Sequence, residues 1–214
     1  MTPQVALDDG LAQLSMAPAP EAREKLLAFL ELLAKWNRTY NLTAIRDPMK
    51  MVSHHLLDSL AVLPHLPMSP NDRLADVGSG GGLPGVPLAI MRPQWPVILN
   101  DSNQKKATFL RQAAIELDLG NVHVHSGRVE EWRPDNRFSV VISRGFAELA
   151  DFVSACGHLL AKGGALVAMK GVYPHEELAR APASARCDAV IRVEVPLLGA
   201  ERHLVICRPV TESR

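Results

Sequence analysis

The residues best suited to chemistry lie in Leu74-Ala-Asp-Val-Gly-Ser-Gly-Gly-Gly-Leu-Pro-Gly85. The pattern predicts a short apolar strand ending on Asp76, a loop carrying Gly78, Gly80 and Gly82, and then the start of a helix. Glycine lets the chain turn tightly and lets a ligand touch backbone. The free N–H groups at a helix start can hold a negative group. A dinucleotide loop reads Gly-x-Gly-x-x-Gly. Here Leu83 takes the place of the third glycine, and Asp76 would repel a pyrophosphate. The Gly-Lys-Ser/Thr ending of a phosphate loop is absent as well. An acid ahead of alternating glycines suits a ligand with an ammonium and a carboxylate. That describes S-adenosylmethionine (SAM) and points to methyl transfer. An ordinary glycine-rich turn is the plainer alternative.

Further candidates follow at spacings expected of a nucleotide-type α/β fold. Val97-Ile-Leu-Asn-Asp101 is a second apolar run ending in an acid. Asp101 is placed to take ribose hydroxyls, or simply to cap the next helix. After the third apolar run comes Ser126-Gly-Arg-Val-Glu130, where Glu130 and the Val129 backbone are candidates for an adenine contact; an exposed Arg–Glu pair is the competing reading. Arg144 ends the fourth run and Lys170 the fifth, two cations at the edge where such sheets bind ligands. Arg144 could pair with the donor carboxylate, with an RNA phosphate, or with a helix carboxylate. No residue stands out as a catalytic base. His54 and Asp58, four apart, read as a pair orienting one helix, and Asn37–Ile45 reads as a satisfied helix-end loop. Lys35, Arg38, Arg46, Lys105, Lys106, Arg111 and Arg128 could form a basic rim or a scattered solvated surface.

The elements that must position these residues fall into two regions. Residues 1–70 are expected to form an N-terminal helical extension packed on the core, and residues 71–214 the SAM-binding domain, with a proline-rich junction at Pro64, Pro67 and Pro70. Residues 1–19 are weakly patterned. Helical spacing covers 21–38, and Asp47-Pro48 opens a helix to about Leu63. From Arg73 onward, short apolar runs (74–77, 97–101, 122–125, 138–143, 165–170) alternate with helical stretches (84–91, 103–117, 148–160). This predicts a mostly parallel sheet with helices on both faces. Runs at 189–196 and 203–209 predict an antiparallel hairpin at the sheet edge. The layout is that of a class I SAM-dependent methyltransferase, a Rossmann-like α/β fold.

The chain has 214 residues, 23 basic against 23 acidic, and 47% apolar residues. That supports a sizeable core and gives no overall nucleic-acid charge signature. Three cysteines without a Cys-x-x-Cys lead to the expectation of no disulfide framework and no zinc site, as in a reducing cytosol. Nothing resembles a signal peptide or a membrane span.

Together, Trp36-Asn37, Asn41-Leu-Thr-Ala-Ile45, His55-x-x-Asp-Ser-Leu60, Asp76-Val-Gly-Ser-Gly-Gly-Gly-Leu-Pro-Gly-Val-Pro87, Asp101-Ser102, Lys105-Lys106, Arg128-Val-Glu130, Ser143-Arg144 and Lys170-Gly171 resemble the bacterial RsmG family, also called glucose-inhibited division protein B. The resemblance runs from about Glu21 to the end, including Gly199-Ala-Glu-Arg-His-Leu204. It implies SAM-dependent methylation of guanine N7 in 16S ribosomal RNA. The implied partner is that RNA or the small ribosomal subunit, met in the cytoplasm by a monomer without metal. The family's donor-binding positions fall on Gly78, Leu83, Val129, Glu130 and Arg144. Gly81, Asn100 and Gly145 depart from the family's usual residues. The competing functions are a small-molecule SAM methyltransferase, a non-enzymatic SAM-binding protein and a nicotinamide oxidoreductase, the last disfavoured by Asp76 and Leu83.

Overall fold

A computed structural model describes residues 2–146 and 148–210. The outermost residues of both expected regions, Met1 and 211–214, lie outside the described residues, as does Ala147. Seven strands form one sheet in the order β3-β2-β1-β4-β5-β7-β6. They are β1 (Leu74–Val77), β2 (Val97–Asp101), β3 (Val122–Ser126), β4 (Phe138–Arg144), β5 (Leu160–Lys170), β6 (Ala185–Arg192) and β7 (His203–Pro209). The first five run parallel, and β7 lies antiparallel between β5 and β6. The chain steps outward from β1 to β3, then returns to the other side of β1 with β4. The crevice beyond the carboxyl ends of β1 and β4 is therefore the switch point at which such sheets take ligands.

The strands are apolar on both faces because helices cover both. Period-2 alternation sends Leu74, Leu99, Val140 and Val167 into one apolar cluster and Ala75, Val77, Ile98 and Val141 into the other. The first face is covered by α5 (Gly85–Met91), by α6 (Gln104–Glu116) and by the N-terminal helices α1 (Pro3–Gln13) and α2 (Pro20–Tyr40). The second face carries α7 (Leu149–Cys156). A further helical run over 48–60 consists of α3 (Pro48–Met51), a π-helical segment Val52–Leu57, and α4 (Asp58–Leu60). The short helix α8 (His175–Ala179) follows β5. Asp47 caps α3 through Met49 and Lys50 N–H, and Asn103 caps α6 through Lys105 and Lys106 N–H.

Three expectations are corrected. The weakly patterned first residues form α1, whose Ala6, Leu7 and Leu11 are buried. Only one short stripe of apolar side chains was available to signal it, and Gly10 allows the close approach to Leu57. Strand β6 lies at 185–192, not 189–196. Cys187 and Cys207 are joined by a disulfide, their Cα atoms 4.0 Å apart. They are 20 residues apart in sequence, and only the pairing of β6 with β7 makes them neighbours. The remaining cysteine, Cys156, is buried, and burial pushes its thiol up to about 12. Among the described residues no helix is long and apolar enough to cross a membrane, and no three His, Cys, Asp or Glu side chains gather as a metal-binding group.

Close helix–strand packing is set by Gly85. A Cβ there would lie 2.3 Å from Leu99 Cδ2 and 2.7 Å from Asp76 Oδ2. Gly85→Ala is expected to lower the unfolding free energy by about 1–3 kcal/mol through overpacking. Urea denaturation checks this, and an unchanged midpoint would rule out the tight contact.

Candidate active site

Asp76 lies next to the end of β1 at the centre of the sheet and is fully buried. Its Oδ2 accepts the Gly85 N–H at 2.9 Å, while Oδ1 has no hydrogen-bond partner. Burial dominates its ionisation and pushes the carboxyl up to about 6; the Gly85 N–H and the Arg144 charge pull the other way. A buried carboxylate with one idle oxygen is costly unless a cationic or donor group comes to it. The loop above it is shaped for such a visitor. Gly78 follows four buried residues yet is itself exposed. It sits at φ 69°, and the space a side chain would fill is empty out to 4 Å. Gly80 at φ 56° is similarly open. Both conformations favour glycine. Gly82, at φ 81°, instead faces Val86 and Leu110 and fits the loop against α5 and α6. Leu83 is buried in the first apolar cluster. These features fit a ligand that brings an ammonium to Asp76 and lies along bare glycine backbone.

Asp101, at the end of β2, holds the same loop from the side. Its Oδ2 accepts Gly80 N–H at 2.9 Å and its Oδ1 accepts Asn103 N–H at 2.8 Å. Asp101 thus holds the loop and braces the residue before the helix, while Asn103, not Asp101, caps α6. A carboxylate offers about four acceptor sites, so capacity for hydroxyl donors remains. Its neighbour Asn100 has a different task. Its amide donates to the His125 and Gly127 carbonyls and fixes the chain after β3. Val129 is buried, whereas Glu130 is exposed, with its nearest cation, Arg128, 3.5 Å away. Such an exposed pair contributes little, which leaves the Glu130 carboxylate able to turn to another partner.

Beyond the carboxyl edge lies a cleft of about 390 Å³ walled by Ile45, His55, Asp58, Arg144, Met169 and Arg202, among others. Arg144 ends β4 directly after Ser143, whose hydroxyl donates to the Val77 carbonyl at 2.7 Å. The cleft therefore opens beside the glycine loop. Asp58 is 2% exposed and serves two arginines. Its Oδ2 accepts Arg144 Nη1 at 3.1 Å and its Oδ1 accepts Arg202 Nε at 2.6 Å. Arg144 also donates to the His54 carbonyl. The expected His54–Asp58 pair does not form. The wide π-helical turn moves residues four apart off a common face, and His54 instead meets Ser53. Two guanidinium groups already occupy both oxygens of the carboxylate.

His55 meets Thr43 Oγ1 at 2.9 Å, and Thr43 N–H donates to Asn37 Oδ1 at 2.9 Å. Burial, with Arg144 nearby, holds the His55 imidazole down at about 4. The Asn37–Ile45 loop is thus satisfied internally, as its residue types suggested. Lys170 also lines the cleft; its Nζ donates to the Phe146 carbonyl and to Glu177 Oε2 at 2.7 Å, and Glu177 also accepts Leu149 N–H. Among the suggested rim residues, Lys35, Arg38, Arg46, Lys105, Arg111 and Arg128 are exposed and Lys106 is half-buried.

Sequence reasoning omitted Gly85, whose N–H holds Asp76, and Arg202. The Gly85 signal lay within the loop motif, but glycines at helix starts are common. Arg202 lay in the Gly199–Leu204 stretch of the family resemblance, but nothing local pointed to its role, because its partner is 144 residues away.

The fold is widely shared. A SAM-dependent methyltransferase from Aquifex aeolicus aligns with a TM-score of 0.57 at 19% identity, over 82% of this chain and 97% of that one. The sequence is much closer to "Ribosomal RNA small subunit methyltransferase G" of Nitrosospira multiformis, at 51% identity over 97% of this chain and 98% of the relative. The protein of the same name from Neisseria meningitidis is 54% identical over 92% and 94%. The family described as "GidB: rRNA small subunit methyltransferase G" matches residues 22–205. On a match of that extent, together with relatives half identical over nearly their whole length, the chain belongs to the rRNA small subunit methyltransferase G family.

Proposed function

We propose that this protein transfers a methyl group from SAM to N7 of a guanine in 16S ribosomal RNA. The reading is carried by the half-satisfied Asp76 beneath an open glycine loop, in a chain of this family. SAM, when bound, supplies an electrophilic sulfonium methyl group. Asp76 takes the donor's ammonium, directly or through water. Gly78, Gly80 and Gly82 with Leu83 let the donor lie against backbone. Asp101 takes hydroxyls with its remaining acceptor sites, Val129 and Glu130 border the adenine, and Arg144 faces the carboxylate. Residues 1–70 act as a helical extension that closes the acceptor side of this domain.

Guanine N7 attacks with an in-plane lone pair and has no proton to lose. The protein needs to align the two groups and exclude water, not to supply a base. The residues in the cleft agree with this. His55 is kept neutral by burial and hydrogen-bonded to Thr43, and Asp58 is held between two arginines. The His55 imidazole, held down at about 4, is a weak base, and both carboxylate oxygens of Asp58 are engaged by guanidinium donors.

Two predictions follow from this chemistry. The Asp76 carboxyl is raised in the fold from 3.8 to about 6. The free protein is therefore most favoured, with respect to this group, below pH 3.8, and loses that contribution as pH rises through about 6. The loss amounts to roughly 3 kcal/mol. Asp76→Asn should make the ligand-free protein more stable than wild type at pH 8, with the gap closing at pH 4, by urea unfolding. The same variant should bind SAM at least tenfold more weakly at pH 8 by calorimetry, and wild-type affinity alone should fall as pH drops through 6. Equal SAM binding by the variant would remove Asp76 from the donor site.

The reaction itself is tested with labelled SAM and small ribosomal subunits lacking the modification. Label should appear as 7-methylguanine, with kcat flat from about pH 7 to 9. Label absent from RNA, with SAM still bound, would favour a small-molecule acceptor.

A further inference from the structure

The cleft at the carboxyl edge has a feature that donor binding does not explain, a second arginine, Arg202, beside Arg144. Its wall contains two guanidinium groups held by one buried carboxylate. Arg144 is anchored through Nη1 to Asp58 and the His54 carbonyl. Arg202 is anchored through Nε to Asp58 and through Nη1 to the Glu201 carbonyl. The two side chains stay 27% and 25% exposed, while Asp58 is 2% exposed. A guanidinium has five N–H donors. Among the described residues, no hydrogen bond takes Nη2 of either arginine. One negative charge against two positive ones leaves this wall cationic, in a protein of zero net charge. Ile45 and Met169 add apolar surface to the same cleft. A cationic wall with apolar patches suits a splayed nucleotide, its phosphate on the arginine side and its base against the side chains.

We propose that this cleft is the acceptor-nucleotide site, that Arg202 binds a backbone phosphate of the RNA strand at the target guanine, and that Asp58 is a positioning residue that presets Arg202 beside Arg144. The proposal rests on the reading above, which places the methyl donor against the glycine loop. Ser143 links the two sites, since its hydroxyl bonds the carbonyl that precedes Gly78 and its chain continues into Arg144. Asp58 and Arg202 come from opposite ends of the chain, so the N-terminal extension and the segment before β7 together complete the acceptor site. Fixing both arginines before binding removes side-chain ordering from the cost of association.

The test measures binding of full-length protein to small ribosomal subunits lacking the modification, at several potassium concentrations and fixed magnesium, with SAM affinity measured separately. Arg202→Gln should weaken particle binding roughly ten- to a hundredfold, the loss of one charge-assisted phosphate contact. The slope of log affinity against log salt should drop by about 1. SAM affinity should stay at the wild-type value, while Tm falls by a few degrees because Asp58 keeps only Arg144 as an ionic partner. Arg202→Lys keeps the charge and should keep the salt slope while recovering only part of the affinity, because an ammonium cannot reach Asp58 and a phosphate as a fork does. Asp58→Asn retains both cations; it should lower kcat/KM for the particle at least tenfold with the salt slope unchanged. Wild-type particle affinity and slope in Arg202→Gln, or wild-type kcat/KM in Asp58→Asn, would overturn the proposal. So would a loss confined to SAM affinity in Arg202→Gln. Failure of the wild-type protein to bind SAM would count against the donor site and not against this one.

Discussion

Everything at the carboxyl edge of the sheet is organised around a carboxylate placed where water cannot reach it. Asp76 lies next to the end of β1 inside a parallel sheet covered on both faces, where the Gly85 N–H and the Ser79 side chain meet it. That arrangement requires α5 to come close, which only a residue without a Cβ at position 85 allows. It also requires the loop between to pass through left-handed conformations at Gly78, Gly80 and Gly82. Asp101 then holds the loop through Gly80, and the β4 end is tied back through Ser143 to Val77. The ends of β1, β2 and β4 thus form one hydrogen-bonded rim around a single unsatisfied charge. A fold that retains so unfavourable a group is ready for a cationic ligand before one arrives.

How much of this was readable in advance follows the range of the interactions concerned. The bounds of β1, β2 and β7 follow directly from short apolar runs with sharp ends, because alternation and turn residues are local signals. Asp76, the glycines and Asp101 were legible for the same reason: acid, turn and helix start all fall within a few residues. The beginning of β6 was not, because Ala185, Arg186 and Cys187 become a strand only by pairing with β7. The Cys187–Cys207 bond was hidden by the same long-range pairing. The His54–Asp58 relation failed for a finer reason. Regular α-helical spacing was assumed, and a π-helical stretch changed which residues share a side.

The N-terminal helices contribute more than cover. Their apolar residues belong to the same cluster as one face of the sheet, and their polar residues build one wall of the cleft. Asn37, Thr43 and His55 form a relay that stiffens the stretch leading to Ile45. The uncharged state of His55 means that it adds no positive charge to that wall. Local satisfaction and distant pairing thus serve one cavity: the relay fixes its shape, and Asp58 fixes its charge.

The position of β7 has a consequence for the order in which the molecule can be assembled. This strand, next to last in space, is the last in the chain, and it lies between β5 and β6. Arg202 immediately precedes it. During synthesis, a nascent chain can form its donor loop early, since β1, β2 and β4 and their helices are contiguous and mostly local. Asp58 must wait, unmatched on one side, until the segment carrying Arg202, 144 residues further on, has emerged. The cationic wall is therefore completed only once the segment carrying Arg202 has joined the sheet, so that a product truncated before Arg202 would retain the nucleotide-like half of the fold without the second guanidinium group.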